Sequence, residues 1–427
     1  MTKSVNMLKT IEHLYPIRRC LMGEEVRSSL DYLEGLNKHF KRLSFPSRYK
    51  AYDWEVPNEW ILKRARLTHE SGKVISDTNR NFLEVVLYSE DIDVWISKER
   101  LLKHLHYSKE RPSAIPYVTS YYRRQWGFCV TKHDFDILPT GMYHAQIHSV
   151  FKEGELDISH AIIPGTSKKE IFFSSYICHP NLANNELSGP ALLMKLAEYC
   201  ELLKQRHYTY RFVIAPETIG ALCYISKYLQ TLKANVIAGY ILSCVGDDRA
   251  YSHVRSPSGK NLSDIALRSA ISLKQNAREY SFLERGSDER QYCSPGVALP
   301  ICGFSKTKYG EYPEYHTSDD NLELVSAQGL NESFAVMKDI VDSFECGSIP
   351  SAIYTGEPQL GKRGLYNSGG NVGDRSMETR NIENILAFSN GEHSIYEICL
   401  LCGIALGDAI KIINRLKENG LLLLRHI

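Results

Sequence analysis

The stretch IFFSSYICHPNLANNELSGPALLMKLAEYC, from Ile171 to Cys200, constrains the fold more than any other part of the chain. Ile171, Phe172, Phe173, Tyr176 and Ile177 predict a buried strand. His179 follows at its end, then a polar loop from Pro180 to Asn185. Ser188-Gly189-Pro190 opens an apolar periodic segment (Leu192, Leu193, Leu196, Ala197) that predicts a helix. Open α/β sheets place their sites at such strand ends. Imidazole and carboxylate are also the nitrogen and oxygen ligands that zinc takes in catalytic sites. From this stretch alone, a capped helix beside an incidental histidine accounts for the residues equally well.

The rest of the chain fits around that unit. Leu8, Ile11, Leu14, Ile17 and Leu21 recur at helical spacing, as do Leu30, Leu33 and Leu36, so residues 1–45 read as a helical leader. Between 50 and 130, short runs at Val74-Ile75, Phe82 to Tyr88 and Val94 to Ile96 predict strands of a small β-rich domain. It closes on SYYRRQWGFC, residues 120–129, where aromatics surround Arg123 and Arg124. This is either a core strand with two surface arginines or a wall facing substrate. From Met142 onward strands alternate with helices: Met142 to Val150, Leu156 to Pro164, the strand at 171–177, Tyr210 to Ala215 and Val236 to Val245. That alternation predicts an α/β fold, a mostly parallel mixed sheet flanked by helices. A last helix of this part is expected from Ala327 to about Phe344.

Bulk properties narrow the class. Over 427 residues the formal net charge is +1, which gives no electrostatic pull toward nucleic acid or anionic membrane. No apolar run reaches the roughly 20 residues that span a bilayer. The eleven cysteines are an odd number scattered along the chain, and no signal peptide is visible, so a reducing cytoplasm is expected.

Several motifs in order carry a resemblance. His179, Asn185-Glu186-Leu187-Ser188-Gly189, Pro216-Glu217, Ser287-Asp288 and Tyr315-His316-Thr317-Ser318 together resemble the zinc aminopeptidases with the phosphorylase/hydrolase-like fold. The phrases DWEVPNEW, IPYVTSYYRRQWGFC, YICHP, ANNELSGP, YRFVIAPETIG, CVGDD, RGSDERQYCSPG, YPEYHTS and EPQLGKRGLY extend the likeness over most of the chain. They are similar to a bacterial family of aminopeptidase-like proteins. The resemblance implies a zinc-exopeptidase-like α/β domain at 1–49 and 136–350, with an inserted small β-rich domain at 50–135. It further implies a linker at 351–377 and a winged helix-turn-helix at 378–427.

The resemblance also implies site residues. His179 and His316 match the two histidine ligands of that fold, and Glu217 matches the general base. Asn185 stands where a bridging aspartate is expected, Thr218 where a second glutamate is, and Ser243 where a further aspartate is. A neutral amide is a poor zinc bridge, which makes Glu186 the carboxylate expected to reach the metal. The thinned set implies one zinc per chain. Asp288 is expected as a remote ligand or as an orienter of a histidine. Arg290 is expected either to clamp a substrate carboxylate or to pair with Asp288 or Glu289. Arg123 and Tyr315 complete the expected substrate-binding set, Tyr315 with packing as its alternative.

In 378–427, acids (Glu378, Glu383, Glu392, Glu397, Asp408, Glu418) balance bases (Arg380, Lys411, Arg415, Lys417, Arg425). A DNA reader needs a basic face. A structural or subunit-contact module is therefore expected, with no nucleic-acid or membrane partner and a possible homo-oligomer through this domain. The expected activity is zinc-dependent hydrolysis of an amide next to a free amine, on a small peptide or aminoacylated metabolite, in polysaccharide or metabolite biosynthesis. The alternative is an inactive peptidase fold kept as a binding or scaffold protein.

Overall fold

The computed structural model describes residues 4–365 and 376–427. Eight strands form the central sheet. In chain order they are β1 (Lys41–Pro46), β2 (Glu155–Ile163), β3 (Glu170–Tyr176), β4 (Thr209–Ala215), β5 (Val236–Leu242), β6 (Tyr251–Val254), β7 (Ala277–Tyr280) and β8 (Ile301–Ser305). In space they run β1-β2-β4-β3-β5-β8-β6-β7. The four central strands β4, β3, β5 and β8 are parallel neighbours, while β1, β2 and β6 add antiparallel pairs toward the edges. Every residue of β3 and β4 is buried, as expected for parallel strands covered on both faces.

Two crossovers leave the middle of this sheet in opposite directions. Helix Ser188–Leu202 carries the chain from β3 to β4, and helix Ile219–Asn235 carries it from β4 over β3 to β5. Right-handed crossovers running opposite ways put their helices on opposite faces. Alternate side chains follow suit. Ile171, Phe173, Phe212 and Ile214 join one core with Leu192 and Leu196, whereas Phe172 and Val213 join the other with Tyr224 and Ile225. Gly189 lets the first helix seat closely, since a Cβ there would lie 2.2 Å from Ser175 Oγ and 2.3 Å from the Leu242 carbonyl. The end of β3 is thus a topological switch point, where clefts form in such sheets.

The inserted lobe is a four-stranded antiparallel sheet ordered Val74–Asp77, Glu59–His69, Met142–Lys152, Ile92–Ser97. The strand expected at Met142–Val150 therefore pairs with the lobe and not with the central sheet, beyond the expected boundary at 135. The run Phe82 to Tyr88 is not a strand. It makes a 3₁₀ turn at Phe82–Glu84 and single bridges at Val85 and Leu87. Its apolar residues are buried without a partner strand along their length, so the composition matches a strand while the pairing is missing. The leader forms helices Met7–Leu14 and Glu24–Leu36, then turns into β1.

Helices Met377–Phe388, Ile395–Cys402 and Leu406–Glu418 and strand Leu422–Arg425 make the winged helix. That strand pairs with Ile349–Ala352, so the expected linker at 351–377 begins inside a strand, and its residues 366–375 lie outside the described residues. Ile382, Ile395 and Ile413 share one apolar cluster with Ile340 and Phe344 of helix Ala327–Glu345. The Ile427 carbonyl accepts from Lys169 Nζ and Tyr208 Oη, both at 3.0 Å. All eleven cysteines are free thiols. Among the described residues no helix is long and apolar enough to cross a membrane.

Candidate active site

Three segments meet at the ends of β3 and β4. The β3 exit gives Cys178 and His179, the β4 exit gives Glu217 and Thr218, and the loop after β8 gives His316. His179 is 4% exposed, and its ring centroid lies 5.4 Å from that of His316. Its Nδ1 lies 2.6 Å from Glu186 Oε2, and its Nε2 lies 3.9 Å from Glu217 Oε2. The first pairing puts the ring proton on Nδ1 and leaves Nε2 free toward the cavity.

Glu186 sits in a π-helical turn, Ala183–Leu187, and is fully buried. Its Oε1 accepts from the Cys178 and His179 amides, the latter at 2.8 Å. Both oxygens are therefore engaged on the Nδ1 side of His179. Arg19, also fully buried, donates to the Leu14 carbonyl at 2.6 Å and to the His179 carbonyl at 3.4 Å. Burial pushes its guanidinium down to about 10 against the opposing pull of Glu186 and Cys178. Burial also disfavours charge on His179, but the Cys178 thiol and Glu186 outweigh it and hold the imidazole well above its usual range, so that a cation bound at Nε2 would take the place of the second ring proton.

Glu217 is half-buried, with its side chain 21% exposed. Burial raises its carboxyl above the usual range, with Glu186 adding to the shift and His179 and Arg290 opposing it. Thr218 takes φ +66°, ψ −76°, and the Ile219 amide donates to the Glu217 carbonyl at 2.8 Å. This is the rare γ-turn geometry, strained for a β-branched residue. The Thr218 amide donates to Asp288 Oδ1 at 2.7 Å, and Arg290 Nη2 donates to Thr218 Oγ1 at 3.1 Å. Arg290 forms no ion pair with Asp288 or Glu289; its Nε goes to the Ser287 carbonyl at 3.2 Å. Asp288 is 1% exposed and its Oδ2 has no partner. Burial and then Glu217 push its carboxyl well above the usual range.

His316 takes φ +54° and stacks on Tyr315 at 3.9 Å. That contact makes Tyr315 a support for the ring. His316 Nε2 is buried with no partner, and burial, then His179, hold the ring neutral, down to about 3. Asp320 ties this loop to the one after His179 by accepting from the Asn184 and Asn185 amides at 2.6 and 3.0 Å and from Tyr312 Oη at 2.9 Å. Asn185 Nδ2 donates to Tyr176 Oη at 2.8 Å, and its Oδ1 is unpartnered. Positive φ also occurs at Asn181 and Cys244, so four of the nine such non-glycine residues among those described surround the site. Strained backbone of this kind concentrates at functional sites.

A cavity of about 200 Å³ opens on His179, Glu217 and Thr218 and is closed by Trp54, Tyr121 and Tyr122 of the lobe. Tyr117 packs against both imidazoles, at 4.7 Å from His179 and 5.0 Å from His316, and its hydroxyl meets that of Tyr121 at 2.7 Å. The lobe thus covers the strand ends through SYYRRQWGFC. Arg123 does not line this cavity but an adjoining one, and Trp126 stacks on His104 at 3.7 Å instead. Arg19, Tyr117, Asp320 and the Thr218 turn were not among the expected site residues. A positive φ and a buried guanidinium leave no mark in composition or periodicity.

The donors match a metal in type, though among the described residues His179, His316 and Glu217 do not bring three donor atoms within 4.8 Å of one another. His179 Nε2 makes no hydrogen bond and His316 Nε2 is an orphaned buried nitrogen, each open to an electrophile, while Glu186 behind His179 is the carboxylate partner that zinc-ligating histidines take. Glu217 is the carboxylate on the open side. Cys178, His179 and Glu186 each bring a donor atom within 4.8 Å of the others. Burial pushes the Cys178 thiol up to about 11, against the pull of His179.

The fold and the site together define an aminopeptidase-like α/β protein with an inserted lobe and a winged helix. Residues 8–347 match the family model described as "Domain of unknown function (DUF4910)", and residues 349–423 match a winged helix-turn-helix model. The chain is 34% identical over 399 residues, 92% of this chain and 90% of the relative, to a Clostridium acetobutylicum protein named "Putative polysaccharide biosynthesis protein with aminopeptidase-like domain". A crystal structure of a "putative peptidase" from Clostridium acetobutylicum superposes with a TM-score of 0.86 at 31% identity, over 98% of this chain and 96% of that one. BSAP, a zinc aminopeptidase from Bacillus subtilis, shares the fold at 11% identity, with a TM-score of 0.58 over 80% of this chain and 95% of its own. The chain belongs to the DUF4910 family of aminopeptidase-like proteins.

Proposed function

We propose that this protein is a zinc-dependent hydrolase that cleaves an amide bond next to a free amine in a small peptide or aminoacylated metabolite. The observation that carries this is the pairing across one cavity of a free imidazole nitrogen on His179 with the half-buried Glu217 carboxylate. In this reading one zinc per chain is held by His179 and His316, and it supplies the Lewis acidity that makes water nucleophilic near neutral pH. Glu186 holds the His179 tautomer, a role assigned here in place of direct ligation.

The side chains divide the remaining work. Glu217 takes a proton from the attacking water and returns it to the leaving amine; its raised carboxyl suits a base working near neutrality. The Thr218 γ-turn, pinned by Asp288 and Arg290, fixes where that carboxylate points. The buried Asp288 acts through that turn, and the cavity-lining Glu217 is the carboxylate nearest an incoming substrate amine. Tyr117, Tyr121 and Tyr122 exclude water from the reacting face. The eleven free thiols support a reducing compartment, and the relative's printed name supports a substrate from polysaccharide or related biosynthesis.

The test is Glu217→Gln. Against a library of aminoacyl amides and dipeptides, turnover by the zinc-loaded protein should fall by about 10²–10⁴-fold while metal content stays unchanged. Equal activity in both proteins would remove Glu217 as the base. Lost metal would make Glu217 a ligand. Silence from both with ligands still bound would favour the binding-protein reading.

A further inference from the structure

A second cavity adjoins the first, and Tyr121 and Tyr122 line both. It measures about 160 Å³, and its other walls include Tyr88, Phe151, Arg123 and Arg124. No carboxylate is among its lining residues. Arg123 and Arg124 are exposed, and neither forms an ion pair among the described residues. Arg124 lies over the Phe151 ring at 4.3 Å, which fixes its plane by cation–π attraction. Tyr88 is 2% exposed, and its hydroxyl is buried without a hydrogen-bond partner. An orphaned buried donor costs stability unless something completes it. Two arginines without acids and an unsatisfied hydroxyl in one recess make a preformed anion site.

The neighbouring cavity has a different lining. Glu217 lines it, and no arginine or lysine is among its lining residues. The two cavities therefore form one slot with a carboxylate at one end and two arginines at the other. One end suits an ammonium, and the other suits an anion with two or three acceptor oxygens, which arginine grips bidentately.

We propose that the Arg123–Arg124 cavity is the substrate's anionic subsite, so that the substrate carries a carboxylate or phosphate on the side of the scissile amide away from its free amine. This rests on the hydrolase reading and adds the charge class of its substrate. The walls of Tyr88, Tyr121 and Phe151 also favour a flat or ring-shaped group leading to that anion.

Three small probes share an amine and differ at the far end: glycylglycine, O-phosphoethanolamine and the neutral glycylglycinamide. Each is titrated by calorimetry into the full-length zinc-loaded protein, with Trp54 fluorescence as a second readout, because Trp54 meets Tyr122 edge-on at 5.4 Å. At least one anionic probe should bind about tenfold more tightly than glycylglycinamide, and whichever does names carboxylate or phosphate as the group. Arg123→Ala/Arg124→Ala should abolish that preference, leaving the melting temperature and glycylglycinamide affinity unchanged. Equal affinity for all three, a preference that survives the double variant, or no binding by any probe overturns the proposal. Glu217-dependent turnover of neutral amides without an anion preference would sink this proposal alone. An anion preference without any Glu217-dependent turnover would keep the anionic subsite and sink the hydrolase reading, and with it the scissile amide.

Discussion

Replacing Glu186 should separate what the fold needs from what the metal needs. Glu186→Ala leaves three buried donors without an acceptor: the Cys178 amide, the His179 amide and the His179 ring N–H. Each costs about 1–3 kcal/mol when orphaned. The buried Arg19 also loses the favourable field of the Glu186 charge, with which it makes no direct ion pair. These terms overlap through relaxation, so a loss of roughly 4–6 kcal/mol is expected in urea unfolding followed by tryptophan fluorescence. Glu186→Gln differs in kind. Its amide oxygen still serves the two backbone donors, but its NH₂ must face His179 Nδ1. The ring proton then moves to Nε2, the nitrogen assigned to zinc. This variant should fold with a loss of about 1–3 kcal/mol and bind zinc 10–100-fold more weakly by competition with a chelator. A Gln variant with wild-type zinc affinity would refute the assignment of Nε2. An Ala variant within about 0.5 kcal/mol of wild type would refute the burden placed on the carboxylate.

Two further outcomes follow from regions outside the site. Burial, then Arg211, Lys227 and Lys41, pushes half-buried His160 down to about 4 from 6.5, so the unfolded chain takes up a proton that the fold refuses. Stability should be highest above pH 6.5 and fall as pH drops toward about 4, by about 1 kcal/mol at pH 5 once screening by solvent is discounted. His160→Gln should flatten that slope in urea midpoints, and an unchanged slope would exclude His160 as the group. Deleting residues 377–427 strips cover from Ile340 and Phe344 and frees strand Ile349–Ala352. The truncated chain should aggregate or melt well below the full protein in scanning calorimetry; a monodisperse body with an unchanged melting temperature would show that the winged helix is dispensable to the fold.

The sequence was most legible where burial and periodicity agree. β3, β4 and helix Ser188–Leu202 appear almost at their expected bounds, because apolar runs between polar turns have few other places to go. It was least legible where a strand's partner lies far along the chain. Nothing within Met142–Val150 says that it pairs with Glu59–His69 and Ile92–Ser97, and nothing within Phe82–Tyr88 says that it makes only isolated bridges. In the site, residue types pointed to His179, Glu217 and His316, which the fold brings together. They could not say which side of His179 Glu186 occupies, since that depends on a π-helical turn and two amides. Nor could they place Arg123 in the next cavity, since that depends on how the lobe sits on the strand ends.

The Thr218 turn offers a way to tell a working site from a fold kept only for binding. A β-branched residue at φ +66° holds about 1–3 kcal/mol of strain, which glycine would relieve. Glycine returns about 0.5–1 kcal/mol through the greater freedom of the unfolded chain. It also gives up the Oγ1 contact with Arg290, an exposed group. The balance is near zero to about 1 kcal/mol in favour of Thr218→Gly. A protein that needs this segment only for its fold would lose nothing by the change. A general base held by the same turn would lose its aim, because the peptide after Glu217 could then swing away from Asp288. Thr218→Gly should therefore match or exceed wild type in urea unfolding, keep its zinc, and turn over substrate at least tenfold more slowly, as expected when a general base is misplaced. Wild-type turnover from a stabilised variant would mean that the strain serves no chemistry. A loss of more than about 1 kcal/mol would mean that Thr218 is held by contacts worth more than the strain.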